Sequence, residues 1–360
     1  MKIGSFIKGR DNNYNFVRHV AAAMVIFTHS YGLTGHGLNE PLMHLIGQSF
    51  SYFAVNSFFV LSGFLITASW LNSESPSIFI ASRITRIFPA LWVCVFLCLF
   101  VVGPLFTNLS LQDYFSGRDF FVFAAENSTL LLRGVYHYLP GVFTNPAIFL
   151  DHSVNVSLWT LPIELKMYLA VLLLGLIGMF RFPKVVVFLY AILVSVHWFS
   201  VSDSELYRLG AYFAGGMIFY LYRNQIPLSY KIAALLLVFN AAGYWFSRVV
   251  GSDIQTIVLP YLVLTLAYLP KGFIRQFNQM GDYSYGLYIF AFPIQQILIN
   301  VGIRDTALHI VLSYFLTLMV AVLSWHFIES PALKKRGEVA SFFKDGAEQV
   351  KRGIVNLRRR

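Results

Sequence analysis

Runs of about twenty apolar residues recur along the whole chain, divided by short polar breaks, and each is long enough to cross a bilayer core of about 30 Å as a helix. Ten such spans stand out, near 15–33, 48–71, 86–106, 157–180, 184–200, 205–222, 229–248, 254–270, 282–301 and 308–329. The pattern predicts an all-α fold, a polytopic membrane helix bundle of about ten transmembrane helices with a polar central cavity. Short cytosolic loops are enriched in Lys and Arg. With the N-terminus inside, Lys2, Lys8, Arg10, Arg83, Arg86, Arg181, Lys184, Arg223, Lys231, Lys271, Arg275 and the C-terminal tail fall on the cytosolic side, and only Arg118, Arg133, Arg208, Arg248 and Arg304 on the other. Both termini are therefore expected in the cytosol. Trp159, Trp198 and Trp245 near outer ends of spans fit the same register, because an indole ring straddles the interface.

Composition sharpens this reading. Of 360 residues, 57% are hydrophobic and 12% charged, about half the charge of a soluble domain, which excludes a large soluble core. The net charge of +10 invites nucleic acid as a partner, but its location argues otherwise: residues 334–360 hold nine Lys and Arg against three Asp and Glu. A basic tail beyond the last span attracts anionic lipid headgroups, so membrane lipids, and no nucleic acid, are the expected partners. Phe342, Phe343, Val350, Ile354 and Leu357 recur at helical spacing and predict a helix lying on the membrane surface over 339–357. The chain thus divides into a transmembrane domain, 1–336, and a basic juxtamembrane tail, 337–360. Cys94 and Cys98 stand one turn apart, a spacing poor for a disulfide. The first apolar stretch has no small-residue cleavage site behind it and reads as a retained span.

The candidate chemistry lies inside the spans. Arg18 and His29 share the first one, and eleven residues at about 100° each come to roughly three turns, so both face one side about 16 Å apart. Ionisable groups at this depth face a protein interior or a wet cavity, and imidazole accepts a proton near neutral pH; the bland alternative has Arg18 snorkelling to headgroups and His29 satisfied within the bundle. Arg83 and Arg86, three apart before the third span, present two planar forks suited to phosphate oxygens, or serve as ordinary positive-inside anchors. Ser62 and Gly63 are small residues in an apolar helix, which either permit close helix packing or let a ligand approach the backbone. Glu164 is an intramembrane carboxylate in the fourth span, at a depth comparable to His29, and its bland reading is a structural ion pair. Glu329, at the cytosolic edge, is expected to neutralise Arg18. His19, His36 and His44 lack metal-site spacing, and no metal is expected. Lys166 lies on another face from Glu164 and takes no assignment.

Together, Arg18 with His29, the Ser62–Gly63–Phe64 triplet, Arg83-x-x-Arg86, the Trp159–Tyr168 stretch around Glu164, the SYGLYIFAFP segment and the closing FIESP resemble the membrane acyltransferase-3 family over residues 12–336. The resemblance implies a bacterial inner-membrane O-acyltransferase that takes an acyl group, commonly acetyl, from cytosolic acyl-CoA and places it on a hydroxyl of a surface glycan or lipid-linked sugar, such as lipopolysaccharide O-antigen or capsule. Acetyl-CoA would be the donor. Its phosphates would dock at Arg83 and Arg86, and its thioester would pass Ser62 and Gly63 toward His29. His29 would act as general base, with Glu164 assisting, or be acylated transiently, and Arg18 would orient the CoA arm. Many relatives carry histidine where this chain has Ala291. The rival class is a proton-coupled transporter of lipid-linked sugar or another solute, with His29 and Glu164 as the relay; it leaves the paired arginines unexplained.

Overall fold

The fold is taken from a computed structural model, which describes residues 2–7, 11–130, 134–144, 152–199 and 205–345. Ten long helices occupy the ten expected positions: α1 (Tyr14–Leu33), α2 (Phe50–Leu71), α3 (Pro76–Leu97), α4 (Leu161–Leu176), α5 (Pro183–Phe199), α6 (Glu205–Leu221), α7 (Tyr230–Phe246), α8 (Arg248–Tyr268), α9 (Ser284–Asn300) and α10 (Thr306–Ser324). No strand occurs among the described residues, only isolated bridges.

Five stretches are long and apolar enough to cross a membrane by themselves: Phe50–Leu71, Pro76–Phe106, Ser157–Leu176, Arg248–Tyr268 and Thr306–Lys334. Two shorter apolar helices, α5 and α7, turn much of their surface outward, with Phe188, Leu235, Val238 and Phe239 exposed, as lipid-facing helices do. The remaining three, α1, α6 and α9, are less apolar, and the reason lies in their position. Almost every residue of α9 and most of α6 are buried against other helices, so protein rather than lipid solvates their polar side chains.

Hydrogen bonds across the bundle establish alternating helix direction. At the face where α1 begins, Asn13 bonds the carbonyls of Leu266 and Pro270 at the end of α8 (3.1 and 2.9 Å), and Asn15 donates to Gly281 just before α9 (3.3 Å). At the opposite face, Thr34 meets Thr306 at the start of α10 (2.8 Å) and Tyr52 meets Ser252 (3.0 Å). These are the N-terminal and far faces of the molecule.

The third helix starts ten residues before the expected 86–106 span. Ser75 caps it by accepting from Ile78 N (3.3 Å), with Pro76 at the first helical position, a favourable start pair. Arg83 and Arg86 therefore sit within the helix, not ahead of it. A π-helical turn, Trp325–Glu329, interrupts the end of α10 and carries Glu329 inward, where it is 1% exposed. Between α3 and α4 the described residues include the short helices Leu111–Ser116 and Arg118–Thr129, and residues 152–156 lie against the bundle. Asn155 donates to Ile289 O (2.9 Å) and Gln296 to Ser153 O (2.6 Å), which fastens the returning strand of chain to α9. Of the expected surface helix at 339–357, residues up to 345 are helical, and 346–360 lie outside the described residues, as does Arg133.

Helices α2 and α6 make the closest crossing. A Cβ on Gly63 would stand 1.9 Å from Phe213 O, and one on Gly216 would stand 2.1 Å from Val60 O. Only glycine permits such backbone contact.

Candidate functional site

Three hollows follow one another through the bundle. The first, about 870 Å³, opens at the N-terminal face and is lined by Asn15, Arg18, Leu65, Asp282, His326, Lys334 and Arg336 among others. The second, about 120 Å³, lies deeper and collects Arg18, Ser62, Leu65, Arg83, Arg86, Glu164, Tyr168 and Tyr285 beside apolar side chains. The third, about 140 Å³, lies toward the far face and is lined by His29, Ser49, Ser51, Tyr52, Trp159 and Arg208. Arg18 and Leu65 belong to the first and second hollows, while Val55 and Tyr288 belong to the second and third. The three therefore adjoin in sequence from one face toward the other. We call them vestibule, inner cavity and outer chamber.

At the junction of vestibule and inner cavity, four charged groups alternate. Asp282 accepts a short hydrogen bond from Arg18 and another from Arg86 Nη2 (2.7 Å), and Arg86 Nη1 donates to Glu329 (3.0 Å). Ser284 Oγ donates to Asp282 and Ser324 Oγ to Glu329 (2.9 Å), so both carboxylates keep an additional donor. Arg86 also lies over the Tyr285 ring at 5.4 Å. The network corrects two expectations. Glu329 pairs with Arg86, and the carboxylate that holds Arg18 is Asp282, which the sequence pattern did not single out. Arg86 is also engaged by two carboxylates, so its fork is not open to a phosphate.

Arg83, one turn away, differs. Among the described residues it forms no ion pair; its Nη2 reaches Ser69 Oγ at 3.5 Å, its Nε is buried without a hydrogen-bond partner, and its guanidinium lies 5.7 and 5.8 Å from the ring centres of Tyr168 and Phe79. A buried donor left open costs about 1–3 kcal/mol, and an anionic ligand in the cavity would satisfy it.

Glu164 is in the first turn of α4. It accepts a short hydrogen bond from Tyr168 one turn later, and Ser62 Oγ lies 3.5 Å from it and 3.4 Å from the Tyr168 hydroxyl. Equal depth had placed Glu164 beside His29. The structure separates them, since Glu164 lines the inner cavity and His29 the outer chamber. Gly63 lines none of the three hollows; it faces Phe213, and its role is helix packing.

His29 packs edge-on against Phe292 (5.2 Å, 87°). Its Nδ1 is buried with no hydrogen-bond partner, whereas the buried His309 has both ring nitrogens engaged, by Ser30 and by Gln295 O (3.0 Å each). His19 bonds Tyr314 (2.7 Å). The chamber also holds a residue that the charge count had treated as an outer loop arginine. Arg208, 8% exposed, donates to Glu205 (Nε, 3.0 Å) and to Asn56, and lies 4.5 Å above the Tyr52 ring. Its sequence signal was a lone cation one turn into an apolar span. Ala291 is packed among Ala22, Ile26 and Leu287. No cluster of metal-ligating residues occurs among the described residues.

A helix bundle with five helices long and apolar enough to cross a membrane makes this a multi-pass membrane protein. Residues 11–326 match the family model of the acyltransferase domain, Acyl_transf_3, and the chain belongs to that family. It is 30% identical over 352 residues to an "O-acetyl transferase" of Shigella phage Sf6, covering 91% of this chain and 97% of the relative. It is 28% identical over 360 residues to "Nodulation protein 10" of Rhizobium leguminosarum bv. viciae (91% and 95%). A match at 24% over 329 residues joins 78% of the chain to half of the "Putative peptidoglycan O-acetyltransferase YrhL" of Bacillus subtilis (strain 168). No solved structure matches. The protein is thus a membrane O-acyltransferase.

Proposed function

We propose that the protein moves an acetyl group from cytosolic acetyl-CoA to a hydroxyl of a cell-surface or lipid-linked glycan, working in the bacterial inner membrane with both termini in the cytosol. One observation carries this reading: a hollow rich in cationic side chains at the N-terminal face adjoins a cavity that ends where the chamber of His29 begins. The name of the Bacillus relative, which specifies peptidoglycan, supports a glycan acceptor.

The vestibule, with Lys334, Arg336 and His326, takes the nucleotide end of the donor. Arg83 offers its unpartnered donor to a phosphate or carbonyl of the CoA arm, and Arg18, at the junction, orients that arm. The distance of about 16 Å from Arg18 to His29 along α1 is comparable to the reach of an extended pantetheine chain. In the outer chamber His29 accepts the proton of the acceptor hydroxyl. The oxygen attacks the thioester carbonyl, a C–O bond forms, the C–S bond breaks with its electrons leaving on sulfur, and the imidazolium returns the proton to the CoA thiolate. General base catalysis of this kind supplies about 10²–10⁴-fold. Glu164 stays on the donor side, where with Tyr168 and Ser62 it forms a polar wall beside the arm.

The test is consumption of labelled acetyl-CoA by the purified protein in lipid nanodiscs, with mass spectrometry of surface glycans from cells with and without the chain to identify the acceptor. The protein is expected to release CoA, and His29→Ala to stop the release. A wild-type protein that leaves the thioester intact overturns the assignment.

A further inference from the structure

The inner cavity and the outer chamber are separate spaces, and the residues that wall both are Val55 of α2 and Tyr288 of α9. Neither yields easily. Val55 is β-branched, with one strongly preferred side-chain rotamer on a helix, and is 6% exposed. Tyr288 is 8% exposed and held at two points: its hydroxyl bonds Thr160 Oγ1 at 2.9 Å, and its ring stands against Phe58 at 5.8 Å and 69°. Thr160 belongs to the 3-10 turn Ser157–Thr160 that leads into α4, so the partition joins three helices.

The cavity on the donor side has a different character. Beside the polar groups of Ser62, Glu164 and Tyr168 its lining includes the apolar side chains of Phe58, Phe59, Leu61, Ile66 and Leu161, and its volume is about 120 Å³. Such a space favours longer acyl chains, since each buried methylene stabilises binding by about 0.8 kcal/mol. Binding in this cavity therefore does not select a two-carbon acyl group. Selection has to occur where the carbonyl carbon comes within about 3–3.5 Å of the attacking oxygen, and that oxygen is held beyond the partition, by His29.

Resting on the acetyl-CoA reading above, we propose that Val55 and Tyr288 form the aperture that sets acyl chain length. An acetyl group brings its carbonyl between these two side chains. A butyryl or hexanoyl chain fills the inner cavity but cannot place its carbonyl in the opening, because the rest of the chain must pack beside it against a stiff valine and a tethered tyrosine. Longer acyl-CoA is then bound without being turned over.

The experiment measures CoA release from acetyl-, butyryl- and hexanoyl-CoA by the full chain in nanodiscs. Wild type is expected to turn over acetyl-CoA at least a hundredfold faster than hexanoyl-CoA, with hexanoyl-CoA a competitive inhibitor. Val55→Ala and Tyr288→Ala are each expected to raise the butyryl-to-acetyl rate ratio at least tenfold. Val55→Phe is expected to lower acetyl turnover at least tenfold, and Tyr288→Ala in the same chain to restore part of it. Should Tyr288→Ala fail to fold, Val55→Ala alone, the loss of two methyl groups, decides. A rate ratio unchanged in the folded alanine variants overturns the aperture, as does a wild type that uses all three donors equally; both outcomes leave the acetyl-CoA reading standing. A wild type that releases no CoA from acetyl-CoA overturns that reading and the aperture with it.

Discussion

The charged network at the mouth of the inner cavity and the imidazole of His29 in the outer chamber are built in opposite ways. At the mouth of the inner cavity, two arginines and two carboxylates form a linear chain, Arg18–Asp282–Arg86–Glu329, with serines supplying further donors. In the outer chamber the imidazole of His29 has a nitrogen with no partner at all. The first arrangement spends its charges on holding helices together. The second leaves a buried ring nitrogen without a partner, which costs stability, and the proposed function gives the ring a task that would justify that cost.

That contrast can be broken by exchanging the kind of damage each region suffers. His29→Ala should have the largest effect on turnover, a loss of at least about 10²–10⁴-fold, with a melting temperature in nanodiscs close to wild type because no hydrogen bond is removed. A large fall in melting temperature would mean that the ring is structural. Asp282→Ala should do the reverse: removing one acid from two buried pairs costs about 3–5 kcal/mol, read as a lower melting temperature and poor recovery of monodisperse protein. Arg83→Ala should weaken acetyl-CoA binding about tenfold or more by calorimetry, since a charge-assisted hydrogen bond contributes about 1.5–3 kcal/mol, while Arg86→Ala should lower thermal stability first. Equal behaviour of the two arginine variants would erase the distinction drawn between them. The smallest effect belongs to Arg208→Lys, which keeps the charge but loses the fork that grips Glu205 and Asn56; its expected signature is a several-fold rise in acceptor KM, with donor affinity unmoved.

The positions of the helices were legible in the sequence because lipid enforces length and apolarity on the crossings that face it, while α6 and α9 carry weaker runs because protein surrounds them. The one substantial error, the start of α3, arose where Ser77, Ser82, Arg83, Thr85 and Arg86 dilute the apolar run although Ser75 and Pro76 mark a good helix start. For the site, Arg18, Ser62, Arg83, Arg86 and Glu164 do share one cavity. Which of them is free and which is neutralised was not readable, because the answer depends on Asp282, distant in sequence from both arginines that it joins. Depth along a helix was likewise readable for Glu164 and His29, but the angle around the axis relative to other helices was not, and angle decides which hollow a side chain enters. Arg208 was hidden by being counted as loop charge.

The contact between Gly63 and Phe213, mirrored by Gly216 and Val60, leaves α2 and α6 without a side-chain cushion between their backbones. Such a seam behaves as a weld: neither rod can slide or tilt past the other without peptide groups colliding. Tyr52 and Val55 on one rod and Arg208 on the other are therefore carried as a single rigid jaw. Whatever movement admits substrate must come from elements outside this pair.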